Sequence, residues 1–250
     1  MKRVLVQHGL CLTYLCDPDA IDELNTDCIV DDLSDDLPEG ELLPQLNRYR
    51  LIDYDHLVLV TERSSGRYVA LLAANDGATT QEDFLQLKAV FVAPVARGQN
   101  LMQRMIALTM LRIGGLRPVP SVIVAVANTW QPACYLILRQ TARRFSGAVF
   151  FPDPEGVVIN FRAATLARRI AHAIGPGLNL QTANGTTVGG KMIAAGNSHF
   201  QSFAREPKSA TLFDQRMLAV IDLRGDDEAS ILGDARRIYR SRSFVKRDCR

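Results

Sequence analysis

Three stretches of the 250-residue chain carry residue types whose spacing could do chemistry. In the first, Val92-Ala93-Pro94 leads to Arg97-Gly98-Gln99-Asn100-Leu101-Met102, with an apolar strand-like run before it and helical spacing after it. A strand that turns directly into a helix presents a row of unpaired N–H groups at the positive end of the helix dipole, and these suit a pyrophosphate. Gly98 lets a phosphate approach the backbone closely, and Asn100 tolerates unusual φ better than most residues. The second stretch, Gly185 to Lys191, reads GTTVGGK and fits G-x-x-x-x-G-K, but Met192 stands where Ser or Thr should hold Mg²⁺. Residues 178–184 make no convincing buried strand and Gly196 would cut a helix short, so a P-loop-like nucleotide binder is the remote alternative. The third set is Cys11, Cys16, Cys28, Cys134 and Cys249, odd in number and irregularly spaced. They read as free thiols of a cytoplasmic chain, buried as small hydrophobes, with no metal expected.

These residues need elements to hold them. Residues 56–61 (HLVLVT) and 67–74 (RYVALLAA) flank Glu62-Arg63-Ser64-Ser65-Gly66, which has the composition of a hairpin turn. Residues 84–92 form a third strand, ended by Pro94. Helical spacing predicts a helix over 97–113, with Arg97, Gln103, Arg104 and Arg112 facing outward and Gly114-Gly115 stopping it at a position that tolerates positive φ. Residues 121–127 (SVIVAVA) read as a strand covered on both faces. A helix over 130–143 follows, with Pro132 in its first turn, then a short strand at 148–151. Residues 160–174 look helical, 175–196 are loop-rich, 217–223 read as a strand and 228–239 as a helix. The start is read as a strand of the fold, because Gln7-His8-Gly9 interrupts the apolar stretch after Lys2-Arg3 and no cleavage pattern follows.

A second motif lies one strand beyond the first. Asn128 ends the buried strand, and Tyr135 follows seven residues later on the next helix, with Ala133 between them. In this order the segment from Leu87 to Tyr135 resembles the GNAT acyltransferase superfamily, whose members transfer acyl groups from acyl-coenzyme A; the likeness covers mainly residues 56–151. Arg97 and Gly98 match the family's phosphate loop. Asn100 and Met102 stand where the family has glycine and a small residue, and Arg139-Gln140 stand where members often have Gly-Phe.

The resemblance implies an α/β (α+β) fold: a mixed, mostly antiparallel sheet with helices on both faces, whose central strands 84–92 and 121–127 splay apart around the acyl-pantetheine arm. It implies a GNAT-like domain over 1–160; the Gly-rich stretch after it would bound a C-terminal extension over 161–250, whose strand 217–223 would either join the same sheet or stay with the extension. Acetyl-CoA or another acyl-CoA would be held by Phe91, Val92, Arg97, Gly98, Gln99, Asn100, Leu101, Met102 and Asn128. A backbone N–H at Phe91 or Val92 would meet the oxyanion, and Tyr135 would protonate the leaving thiolate as general acid. The acceptor would be an amine, its identity open. The alternative is a GNAT-like sensor or scaffold that binds acyl-CoA without turnover. No base is assigned: the polar residues of 84–92 are Gln86 and Lys88, Glu82 and Asp83 just before them read as loop charges in water, and His56 reads as structural.

Charge bounds the partners. Lys+Arg 29 against Asp+Glu 27 leaves +2, so a polycation that coats nucleic acid is not expected. From Phe84 to Pro152 there are eight bases and no acid, a setting that would not repel phosphates. From Asp17 to Glu41 there are eleven acids and no Lys or Arg, either a solvated acidic loop or an attractor for a cationic acceptor. No apolar run approaches the ~20 residues that span a bilayer, so no membrane partner is expected. The stretch 160–215 would cover the acceptor site or pack as an oligomer arm.

Overall fold

The computed structural model describes residues 2–6, 9–16, 26–34, 51–127, 129–130, 132–151, 161–174, 186–188, 191–192 and 215–241. The chain divides into two compact units: Met1–Asn75, Leu87–Val119 and Ala235–Arg250 in unit 1, and Asp76–Gln86 and Pro120–Asp234 in unit 2. This division cuts the chain elsewhere than the 160/161 boundary read from the sequence.

In unit 1, β1 (Lys2–Val6) and β2 (Leu10–Leu15) form an antiparallel hairpin with Val6 opposite Leu10. Helix α1 (Thr26–Ser34) buries Thr26, Ile29 and Leu33, the i, i+3, i+7 stripe of an amphipathic helix. β3 (His56–Glu62) pairs antiparallel with β2 and with β4 (Tyr68–Ala78). The turn between β3 and β4 is closed by Glu62 N–H donating to Arg67 O and Gly66 N–H to Glu62 O, both at 2.8 Å. β5 (Asp83–Val92) returns beside β4, and the strand order is β1-β2-β3-β4-β5. Leu57 to Val60 and Val69 to Ala74 are buried without alternation, so both faces of these strands are covered, which is why they read as continuous apolar runs. Helix α2 (Leu101–Ile113) packs on β2 and β3.

Unit 2 holds β6 (Val122–Ala127), β7 (Thr129–Trp130), α3 (Pro132–Ala142), β8 (Val149–Phe151), α4 (Phe161–Ile174), β9 (Thr186–Val188), β10 (Lys191–Met192), β11 (Gln215–Asp222) and the start of α5 (Glu228–Arg240). Its strand order runs β6-β11-β8. β11 is antiparallel to β6, with Ala219 opposite Ala125, and also pairs with β8 and β9. The fold is thus mixed α/β with a mostly antiparallel open sheet. Val122, Val124, Leu218 and Val220 pack with Ala163, Leu166, Ala167, Ile170 and Ala171, one face of α4, and with Phe84 and Phe151. Each large aliphatic side chain so buried contributes about 1.5–3 kcal/mol. Gly77 is required here: a Cβ on it would lie 2.2 Å from the Phe84 ring. Among the described residues no helix is long and apolar enough to cross a membrane.

Four expectations are corrected. α2 begins at Leu101 rather than 97, because Gly98 (φ 79°) and Asn100 (φ 54°) adopt left-handed conformations that no right-handed helix admits. Gln103 and Arg104 face inward, 4% and 5% exposed, because α2 is covered on more than one side: it packs on β2 and β3, and Arg104 meets the end of α5. Gly114 ends the helix at φ −64°, in ordinary helical space, so no positive φ is needed there. Cys16 and Cys28 are exposed and Cys11 half-buried, since α1 turns Ile29 and Leu33 inward instead of Cys28.

Candidate functional site

The junction between β5 and α2 lies wholly in unit 1 and is built by backbone sterics. Ala93 N–H donates to Val69 O at 2.8 Å, fixing the end of β5 against β4. Proline then starts a single 3-10 turn, Pro94–Ala96, with Ala96 N–H on Ala93 O and Arg97 N–H on Pro94 O. The chain reverses through Gly98, where an added Cβ would meet nothing within 4 Å among the described residues. Asn100 is the N-cap of α2 in left-handed space (φ 54°, ψ 31°), a conformation glycine adopts freely and Asn adopts better than other residues. This conformation fits an Asn at the position where the resemblance leads one to expect glycine. The Met102 side chain is turned into the core at 6% exposure, so its bulk does not stand over the helix mouth.

The first backbone bond of the helix is Arg104 N–H to Asn100 O at 3.1 Å. The N–H groups of Leu101, Met102 and Gln103 precede it, and the cap side chain does not reach back to them. Among the described residues no backbone carbonyl engages the N–H groups of residues 98–103. Buried helix ends normally satisfy such groups, and unpaired N–H groups at a helix start are of the kind that suit an anion. Arg97 is exposed, and its Nε donates to Val92 O at 3.2 Å, bracing the strand exit while its other N–H groups have no partner among the described residues. Gln99 is half-buried, and its Oε1 is buried without a hydrogen bond among the described residues. Leu101 is buried at 2%, a packing residue that contributes only its N–H to the mouth. Phe91 is buried and Val92 half-buried at the end of β5. Lys88, on the same strand, has its ammonium pKa lowered by burial.

The remaining candidates fall elsewhere. Tyr135 lies on α3 in unit 2, one turn past Pro132. Asn128 lies outside the described residues. Lys191-Met192 of the GTTVGGK stretch is strand β10, paired in parallel with β7. A phosphate-binding lysine of that motif opens a helix, so the P-loop reading is withdrawn. Among the described residues no three His, Cys, Asp or Glu side chains are grouped to hold a metal ion.

Three groups weighed as bases or acceptor attractors are otherwise engaged. Glu82 is not a loop charge in water. Its side chain is 8% exposed and accepts from Arg224 Nη1 at 2.7 Å, from Arg169 Nη2 and from Thr79 Oγ1 at 3.0 Å. Asp83 is exposed. His56 is 6% exposed, with its Nδ1 2.8 Å from the Tyr14 hydroxyl and the two rings stacked. In the acidic segment, Asp32 accepts the Tyr68 N–H at 2.8 Å and pairs with Arg67, whereas Asp31 is exposed. Sequence reasoning missed the Glu82 network because its partners lie 87 and 142 residues away.

No family model matches the chain, and no curated protein matches it. Solved structures do show similarity. The chain is similar to one in the crystal structure of the NatC complex bound to Gag peptide and CoA, at 12% identity and TM-score 0.41, over 56% of this chain and 86% of that one. It is similar to the ribosomal-protein-S5-alanine acetyltransferase from Vibrio fischeri at 8% identity and TM-score 0.40, over 91% and 100%. It is also similar to an agmatine N-acetyltransferase at 11% identity and TM-score 0.39, over 56% and 84%. Likenesses at these scores fix neither family nor activity.

Proposed function

We propose that the chain binds an acyl-coenzyme A at the β5–α2 junction and transfers its acyl group, most simply acetyl, to an amine, as a GNAT-type acyltransferase. The observation that supports this most is the open mouth of α2: free N–H groups from Gly98 to Gln103, an unobstructed Gly98, and no acidic side chain in the sequence from Phe84 to Pro152. The diphosphate would accept from these N–H groups, with Arg97 adding charge. Asn128 would lie beside the carrier. The acceptor amine attacks the thioester carbonyl, a carbon–nitrogen bond forms, and the carbon–sulfur bond breaks. A backbone N–H at Phe91 or Val92 would hold the oxyanion. Tyr135 would give the departing thiolate its proton, since a phenol and a thiol of similar basicity exchange one readily.

Calorimetric titration with CoA and acetyl-CoA tests the binding step. Saturable binding that is lost in Gly98→Val supports it, and failure to bind either compound refutes it.

One observation favours a second reading, a sensor or scaffold that binds acyl-CoA without turnover. β5 carries no carboxylate past Asp83, and Glu82, the nearest other acid, is held by two arginines. Release of free thiol from acetyl-CoA across a panel of amines separates the two: thiol release supports transfer, and binding without it supports the sensor.

A further inference from the structure

We infer that Arg104 is a positioning residue that ties the diphosphate-binding mouth of α2 to the C-terminal end of α5, acting through Asn100. This rests on the reading of the mouth as a CoA site.

Arg104 makes two bonds in two directions. Its backbone N–H closes the first turn of α2 on Asn100 O at 3.1 Å, and its side-chain Nε donates to Tyr239 O at 3.2 Å across 135 residues of sequence. The first is the one hydrogen bond that holds Asn100 among the described residues, and Asn100 sits in a left-handed conformation that needs holding. The second bond is reciprocal. Tyr239 is the next-to-last residue of α5, so its carbonyl is among those left without a partner inside the helix, where a cation is favoured by the dipole.

Arg104 is 5% exposed, and no carboxylate faces it among the described residues. The titratable group that acts on it is the Tyr239 phenol, which in turn has Arg112 and Cys11 beside it. Burial pulls the Arg104 guanidinium down and pushes the Tyr239 phenol up. A buried cation without a counter-charge is held in place by whatever acceptor it has, and here that acceptor is the end of α5. The Tyr239 hydroxyl is itself buried without a hydrogen-bond partner among the described residues, so the bond this residue makes to Arg104 is through its carbonyl. The N–H that holds Asn100 O is main chain and stays in any variant, so the side chain acts by fixing where this first turn of α2 sits against the end of α5. Through this tie, order at the mouth and order at residues 236–241 are expected to rise together when a ligand binds.

The test is hydrogen exchange with and without saturating CoA, together with the CoA Kd, for the wild type, Arg104→Met and Arg104→Lys. In the wild type, CoA is expected to slow exchange of the 236–241 amides severalfold. Arg104→Met should raise the Kd about tenfold and abolish that slowing, and Arg104→Lys, which keeps a donor, should restore most of both. A role limited to stability would lower the melting point and leave the CoA-induced slowing in place. The inference is overturned if wild-type protein binds CoA with no change at 236–241, a result that needs no variant to fold. It is equally overturned if Arg104→Met binds and protects as the wild type does. Failure of the wild type to bind CoA at all would instead remove the site reading, and the inference with it.

Discussion

The mouth of α2 and the ion network around Glu82 are built from the same materials in opposite ways. In the network both carboxylates are matched, and Arg169 Nε is the one buried donor there without a partner among the described residues. Arg224 donates from Nε and Nη2 to Asp222, at 2.8 Å each, and from Nη1 to Glu82, while Arg169 adds a second donor to Glu82 and Arg162 lies 3.9 Å from Asp222. At the mouth, consecutive N–H groups are aimed outward with no protein acceptor among the described residues. Native structures leave few polar groups unmatched. A cluster whose carboxylates are all matched therefore reads as structure, and a row of consecutive unmatched N–H groups as a place for a ligand. The contrast also bears on catalysis, because the network removes Glu82 from the set of free bases.

Breaking the network should cost the most, and should cost only stability. Arg224→Met leaves two mostly buried carboxylates short of a partner, so urea denaturation is expected to show a loss of about 3 kcal/mol or more. The CoA Kd of the protein that remains folded should be unchanged, and a Kd that moves in parallel would blur the distinction. Next in size is the proposed chemistry. Tyr135→Phe should lower the rate of thiol release about 100-fold, roughly 2.7 kcal/mol, with the CoA Kd within twofold. A matching rise in Kd would assign Tyr135 to binding instead.

Acid should separate the regions too. Burial alone would raise the Asp222 carboxyl pKa, but its hydrogen bonds to Arg224 and the charges of Arg224 and Arg162 outweigh that and hold it below the ordinary value. The folded pKa is lower than the unfolded one, so this stabilisation is complete above the unfolded value near ~3.9 and is lost as pH falls through the folded value. A melting-point profile should fall below about pH 4, and Asp222→Asn should flatten that fall.

The smallest effect sharpens the account of the mouth. Asn100→Gly supplies the left-handed conformation without a Cβ, so stability and CoA binding should both change by less than about 1 kcal/mol. Asn100→Val, which resists that conformation, should lose about 1–2 kcal/mol of stability. Thermal melts of the pair check it, and equal melting points would show that the conformation at 100 does not matter.

Local signals in the sequence carried far. Strand β5, the exit at Pro94 and the left-handed tolerance of Asn100 all depend on residues close in sequence, and each lies within a few residues of its expected place. The start of α2 was misjudged because periodicity registers apolar spacing and not the sign of φ at Gly98. Arg104 and Glu82 were misread for another reason. An arginine on an apolar helix and a glutamate in a turn look solvent-facing until the carbonyl of Tyr239 or the guanidinium of Arg224 arrives from far along the chain. Pairings at that range leave no local pattern.

The most direct measurement of the central claim is calorimetric titration of CoA into the wild type and Gly98→Val side by side. The account predicts one saturable site in the wild type and at least a tenfold weaker one in the variant, with the fold intact by circular dichroism. Equal affinity in the two proteins, or no heat of binding in the wild type, would contradict it.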